Sequence, residues 1–155
     1  MDSHFYQVNI AWSQDRKGMM CSPELNTSSD NCIEVATPPE FPKGIPGIWS
    51  PEHLFTAAVS SCLMTTFLAI AENSKLPFTS FQCGSKGKLE QRDGKFQMTE
   101  VHLFPVVTVT DEKDRERALR VLQKAEANCL ISNSIKSTVT MTPEVIVVSP
   151  AVPVG

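Results

Sequence analysis

The chain has 155 residues, 41% of them apolar and 20% charged, with a formal net charge of −3. That length fits one domain (1–155) with a single core, and the charge leaves no basic field for nucleic acid. The N-terminus, Met1-Asp2-Ser3-His4-Phe5-Tyr6, has no cationic stretch followed by an apolar one, so a cytoplasmic location is the expectation.

Residues 5–12 alternate Tyr6, Val8, Ile10, Trp12 against Gln7, Asn9, Ala11, which predicts a strand, and 13–18 supply a turn into a partner strand over 19–22. A polar stretch, 26–31, precedes a short strand around 32–36. From Thr37 to Trp49 four prolines and two glycines exclude regular structure, and Trp49 is expected to anchor this connector.

Ser50 suits a helix cap, Pro51 the first helical position and Glu52 the positive end of the dipole, so a helix is predicted from there to about Asn73. Leu54 to Ala71 are eighteen residues without a charge, a length that raises a membrane span. Thr56, Ser60, Ser61, Thr65 and Thr66 interrupt the run and no Lys or Arg flanks its start. A central helix covered on every side by the rest of the fold, with no membrane, is the better reading.

Two long strands, about 78–90 and 95–110, are predicted around Asp93-Gly94, with Pro105 at an edge or a bulge. Asp111 is read as the start of a second helix that ends near Asn128, and the mixed charges of 111–117 as its solvated face. A short helical piece through Lys136 leads to a last strand over 137–142, continued by 145–148. The core then spans about 5–148, and the Pro- and Val-rich tail 149–155 is expected to be loosely held. The order of elements gives an α+β domain.

The chemistry-bearing candidates are five cysteines, at 21, 32, 62, 83 and 129. No Cys-x-x-Cys or His-x-x-x-His spacing marks a metal site, and neither a phosphate-cradling loop nor a Gly-x-Ser-x-Gly elbow is present. In a reducing compartment the odd count argues against disulfide staples, so Cys21, Cys32 and Cys83 read as small apolar side chains. Cys62 alone reads the same way. Cys129 lies where one helix ends and a short one begins, so it is either a structural residue or a thiol with a stabilised thiolate.

Pro51-Glu52-x-Leu54-Phe55-x-Ala57-Ala58-x-x-x-Cys62 resembles the central-helix motif of the OsmC/Ohr family, and Asn128-Cys129-Leu130-Ile131-Ser132-Asn133 its second cysteine motif. Thr37-Pro38-Pro39-Glu40-Phe41 with its Gly/Pro loop, and Arg16 in the first hairpin turn, are similar to the Ohr branch. Leu130 stands where the family usually has proline, and Lys43 is the only cation near the helix, where the OsmC branch places its arginine.

The resemblance implies an OsmC-like fold, with antiparallel sheets around a long buried central helix in an intertwined homodimer. It further implies a thiol peroxidase that reduces organic hydroperoxides in oxidative-stress defence. Cys62 would be the peroxidatic residue, Cys129 the resolving one, Arg16 the stabiliser of thiolate and peroxide, and Glu52 the residue that orients Arg16. No bound cofactor is implied; the reductant would be an external dithiol, of lipoyl type in the family. Ten helical residues separate Glu52 from Cys62 by about 15 Å, so a site containing both an Arg–Glu pair and Cys62 would draw on two subunits. An apolar pocket lined by the helix and the Trp49 loop would favour organic over hydrogen peroxide. The alternative is a non-catalytic small-molecule-binding or redox-sensing protein on the same fold.

Overall fold

The computed structural model describes residues 2–25 and 31–149. Among the described residues seven strands and two α-helices follow one another as β1 (Asn9–Gln14), β2 (Lys17–Cys21), β3 (Ile33–Ala36), α1 (Pro51–Asn73), β4 (Ser80–Arg92), β5 (Lys95–Val109), α2 (Arg115–Ala127), β6 (Thr138–Met141) and β7 (Glu144–Val147). They gather into two compact units that divide after Leu54. Residues 26–30, most of the polar stretch, and 150–155 of the expected loose tail lie outside the described residues.

In the first unit β1, β2 and β3 form an antiparallel sheet in that order. The predicted strand over 5–12 starts later, at Asn9, and the turn tightens to Asp15 and Arg16, with Asp15 at φ 48°. Gly18 is required where β2 crosses β1, because a Cβ there would lie 2.5 Å from the Ala11 carbonyl oxygen. The two cysteines read as small apolar side chains prove to be bonded: Cys21 and Cys32 form a disulfide. The β2–β3 register explains it, since Met20 faces Ile33 and the next rung sets Cys21 opposite Cys32.

The 37–49 connector folds on itself. The Ile45 N–H donates to the Thr37 carbonyl at 2.9 Å, and Gly44 packs so close to Pro38 that a Cβ would meet its carbonyl oxygen. Trp49 anchors it through the backbone, bridging Val35 and accepting from the Ala36 N–H at 2.8 Å, while its half-exposed ring meets the His53 ring edge-on at a centroid distance of 6.2 Å.

Helix α1 covers the predicted span. Ser50 caps it, accepting from the His53 N–H at 3.1 Å, and the Ser50 hydroxyl also sits 2.6 Å from His53 Nδ1. Within one chain the helix is covered on one stripe only, Val59, Cys62, Leu63, Phe67 and Ala71; Met64 and Leu68 are exposed. Its length and composition alone would allow a membrane crossing, yet Val59, Leu63, Phe67 and Ala71 of that stripe pack into the core of the second unit with Val101, Leu103, Val107 and Leu122.

That core rests on a sheet with β5 at its centre. β4 pairs β5 antiparallel through the Asp93-Gly94 turn. The continued last strand is two strands, and both join the other side of β5 in parallel. Helix α2 is the cause: its 13 residues carry the chain back about 20 Å, so β6 re-enters beside the middle of β5. Pro105 therefore lies on a central strand and not at an edge. On the β6/β7 side it falls in the gap between Leu103, paired with Met141, and Val106, paired with Glu144, so its missing N–H costs no ladder bond there.

The start of α2 also differs from the sequence expectation. Asp111 caps a single 3₁₀ turn, Glu112–Asp114, by accepting from the Lys113 N–H, and the α-helix begins at Arg115. The charge run is not simply solvated: Asp114 is buried and bonds Arg117 at 3.1 Å, and Arg115 reaches the Val145 carbonyl at 2.9 Å.

Candidate active site

The second unit brings Cys62 and Cys129 together. Cys62 lies on the buried stripe of α1, and Cys129 follows the last turn of α2, where Asn128 closes the helix; both are buried and neither is in a disulfide. Their surroundings act on them in opposite directions. Burial pushes the Cys62 thiol up, but the Ile131 N–H, the Cys129 thiol, the Thr66 hydroxyl and the Leu130 backbone all favour its anion, and the sum lies below the ordinary thiol value. Thr66 Oγ1 is 3.9 Å from the sulfur.

Burial also pushes Cys129 up. The Ser132 hydroxyl and N–H pull it back, but the neighbouring Cys62 sulfur raises it again, and the net is above the ordinary value. One thiol is thus disposed to ionise while its neighbour keeps its proton and points it at the first. Sequence position left Cys129 as either a structural residue or a thiol with a stabilised thiolate; the turn after α2 directs the Leu130 and Ile131 amides at Cys62 and that of Ser132 at Cys129. Residue types give no signal for these backbone donors. In a thiolate titration followed by ultraviolet absorbance and site-specific alkylation, Cys62 is expected to ionise at the lowest pH of the three free thiols. Cys129 and Cys83, the latter raised by burial, should follow above the ordinary value. Ionisation of Cys62 after Cys83 would contradict the assignment.

The first unit brings Arg16 and Glu52 together. Both line a groove of about 560 Å³ whose walls are otherwise largely apolar, with Ile10, Trp12, Val35 and Phe41 among them. Arg16 sits in the β1–β2 turn, where its carbonyl accepts from the Thr37 N–H at 3.1 Å, and Glu52 is in the first turn of α1. Arg16 also borders a second cavity of about 430 Å³ with Asp15, Lys43 and Ile45. The expected pocket on the Trp49 loop is displaced along that loop: Thr37, Pro38 and Phe41 line the groove, and Trp49 flanks a separate cavity beside His53. The four residues singled out from sequence thus form two pairs, one in each unit. Glu52 and Cys62 are about 15 Å apart along the axis of α1. Among the described residues no cluster of His, Cys, Asp and Glu could hold a metal ion.

Residues 44–144 match the OsmC-like protein family. An uncharacterized protein of Bacillus subtilis, YmaD, is 28% identical over 147 residues, covering 92% of this chain and 93% of its own. Among solved structures, an OsmC-like protein of unknown function from Vibrio cholerae superposes with a TM-score of 0.78 at 23% identity, over 91% of this chain and 99% of that one. An organic hydroperoxide resistance protein OsmC from Legionella pneumophila gives 0.71 at 21%, over 95% and 100%. OhrB of Bacillus subtilis, also named for organic hydroperoxide resistance, gives 0.61 at 19%, over 92% and 98%. With the paired helix cysteine and turn cysteine, this match over about two-thirds of the sequence places the chain in the OsmC-like protein family.

Proposed function

We propose that this protein is a thiol peroxidase that reduces organic hydroperoxides to alcohols. The observation that carries the reading is the buried pair in which Cys62 is favoured as thiolate and Cys129 as thiol. The Cys62 thiolate attacks the distal peroxide oxygen; the O–O bond breaks, the alkoxide takes a proton and leaves as alcohol, and Cys62 becomes a sulfenic acid. Cys129 then attacks that sulfur, a Cys62–Cys129 disulfide forms and water departs. An external dithiol, of lipoyl type in our reading, restores both thiols and leaves as its own disulfide. No bound cofactor takes part.

In this reading the protein works in the cytoplasm as a homodimer, and Arg16 and Glu52 of one protomer complete the Cys62 site of the other. Two features support that arrangement: the axial separation of Glu52 and Cys62 on α1, and the exposed apolar rows Tyr6, Val8, Ile10, Trp12 and Met64, Leu68. The guanidinium of Arg16 would stabilise the thiolate and orient the peroxide oxygens, with Glu52 holding it in place. The apolar walls of the groove would take the alkyl tail of the substrate.

The test is turnover. With excess dithiol, the protein should consume many equivalents of cumene hydroperoxide and prefer it to hydrogen peroxide. Consumption of a single equivalent would instead identify a redox sensor, and equal rates with both peroxides would remove the role given to the apolar groove.

A further inference from the structure

The Cys21–Cys32 disulfide lies outside the chemistry above, and its place in the first sheet is specific. β2 and β3 are held by four rungs, Lys17 opposite Ala36, Gly18 opposite Val35, Met19 opposite Glu34 and Met20 opposite Ile33. The bond forms the fifth, joining Cα atoms 4.5 Å apart, the spacing of directly opposed antiparallel residues that share no hydrogen bond. It closes one end of the pair; at the other end Lys17, Gly18, Val35 and Ala36 line the Arg16 groove. The same end sets the turn, through the Thr37 N–H on the Arg16 carbonyl and the Ala36 N–H on the Trp49 carbonyl. Four rungs are a short ladder, and β3, at the edge of the three-stranded sheet, has β2 as its strand partner. Both cysteines are partly exposed, so an attacking thiolate can reach the bond, and reachable disulfides are the exchangeable ones.

We propose that the Cys21–Cys32 disulfide is a reducible clasp, opened by dithiols, whose state sets how firmly β2 and β3 hold the groove around Arg16. One thiolate of the dithiol attacks a sulfur of the pair, the S–S bond breaks and a mixed disulfide forms. The second thiol of the reagent displaces the bound sulfur and leaves with the first as a disulfide. Two electrons and two protons pass to Cys21 and Cys32. The clasp then no longer ties together two residues that are eleven apart in sequence. The proposal does not rest on peroxidase activity, because the strand pair and the groove are features of the fold.

The experiment uses the full chain and dithiothreitol as the probe. Cys21 and Cys32 are followed by alkylation and peptide mass, and the amides of β2 and β3 by hydrogen exchange. The native chain is expected to become reduced at this pair while the core of the second unit keeps its protection. Exchange at Lys17–Met20 and Ile33–Ala36 should then accelerate on the order of tenfold to a hundredfold. The Cys21→Ser/Cys32→Ser chain should match the reduced one; should that variant fail to fold, the reduced full chain still gives the comparison. A bond that resists dithiothreitol until denaturant is added overturns the proposal, as does unchanged β2–β3 exchange after reduction.

Discussion

Replacing Cys62 by serine is expected to lower kcat/KM for organic hydroperoxide by about a thousandfold or more, because a hydroxyl on α1 has no accessible anion near neutral pH. Cys129→Ser should behave differently. The first O–O cleavage does not use Cys129 as a nucleophile, so one equivalent of hydroperoxide is consumed and the sulfenic acid persists. Dimedone should label Cys62 in Cys129→Ser after one addition of hydroperoxide and label nothing in Cys62→Ser. Wild-type turnover in Cys62→Ser, or a dimedone adduct on Cys129, would reverse or remove the assigned roles.

The second large effect is on stability. Phe67 is fully buried on α1, with its ring centroid 5.2 Å from that of Phe78 in an edge-to-face contact and 5.0 Å from that of Phe81. Truncation to alanine removes both ring contacts and leaves a cavity between the helix and β4, a change that costs about 3–5 kcal/mol. Urea unfolding at fixed protein concentration should show the loss as a lower midpoint with an unchanged slope. Phe104→Ala, on the same sheet but 40% exposed, is the control and should cost far less. Equal losses at the two positions would mean that the α1–sheet core does not limit stability.

The limits of α1 were legible because Ser50, Pro51 and Glu52 each satisfy a separate requirement of a helix start, and the β4–β5 hairpin because Asp93-Gly94 allows little else. Which faces of α1 are covered was not, since an uncharged run has no polar side to mark the stripe 59, 62, 63, 67, 71. The parallel entry of β6 and β7 follows from the return path through α2, a property of the connection and not of the Thr-Val-Thr-Met alternation. The cysteines divide in the same way. Resemblance to the two cysteine motifs of the OsmC/Ohr family singled out Cys62 and Cys129, whereas the Cys21–Cys32 bond depends on a β2–β3 register that five- and four-residue strands barely encode. The amides of Leu130 and Ile131 leave no trace in residue type at all.

The parallel seating of β6 and β7 on β5 also bears on how the chain is made. Arg92 meets Lys95 across the hairpin as soon as both leave the ribosome, but Glu100 must wait for Thr138 and Val106 for Glu144. During synthesis, and in any fragment that stops before residue 138, one long side of a fifteen-residue strand stands unpaired, with Val101, Leu103 and Val107 still short of their final cover. An open edge of that length invites pairing with another nascent chain. The β6–β7 segment is therefore the one that ends the aggregation hazard, and its two short strands act as a seal on the sheet.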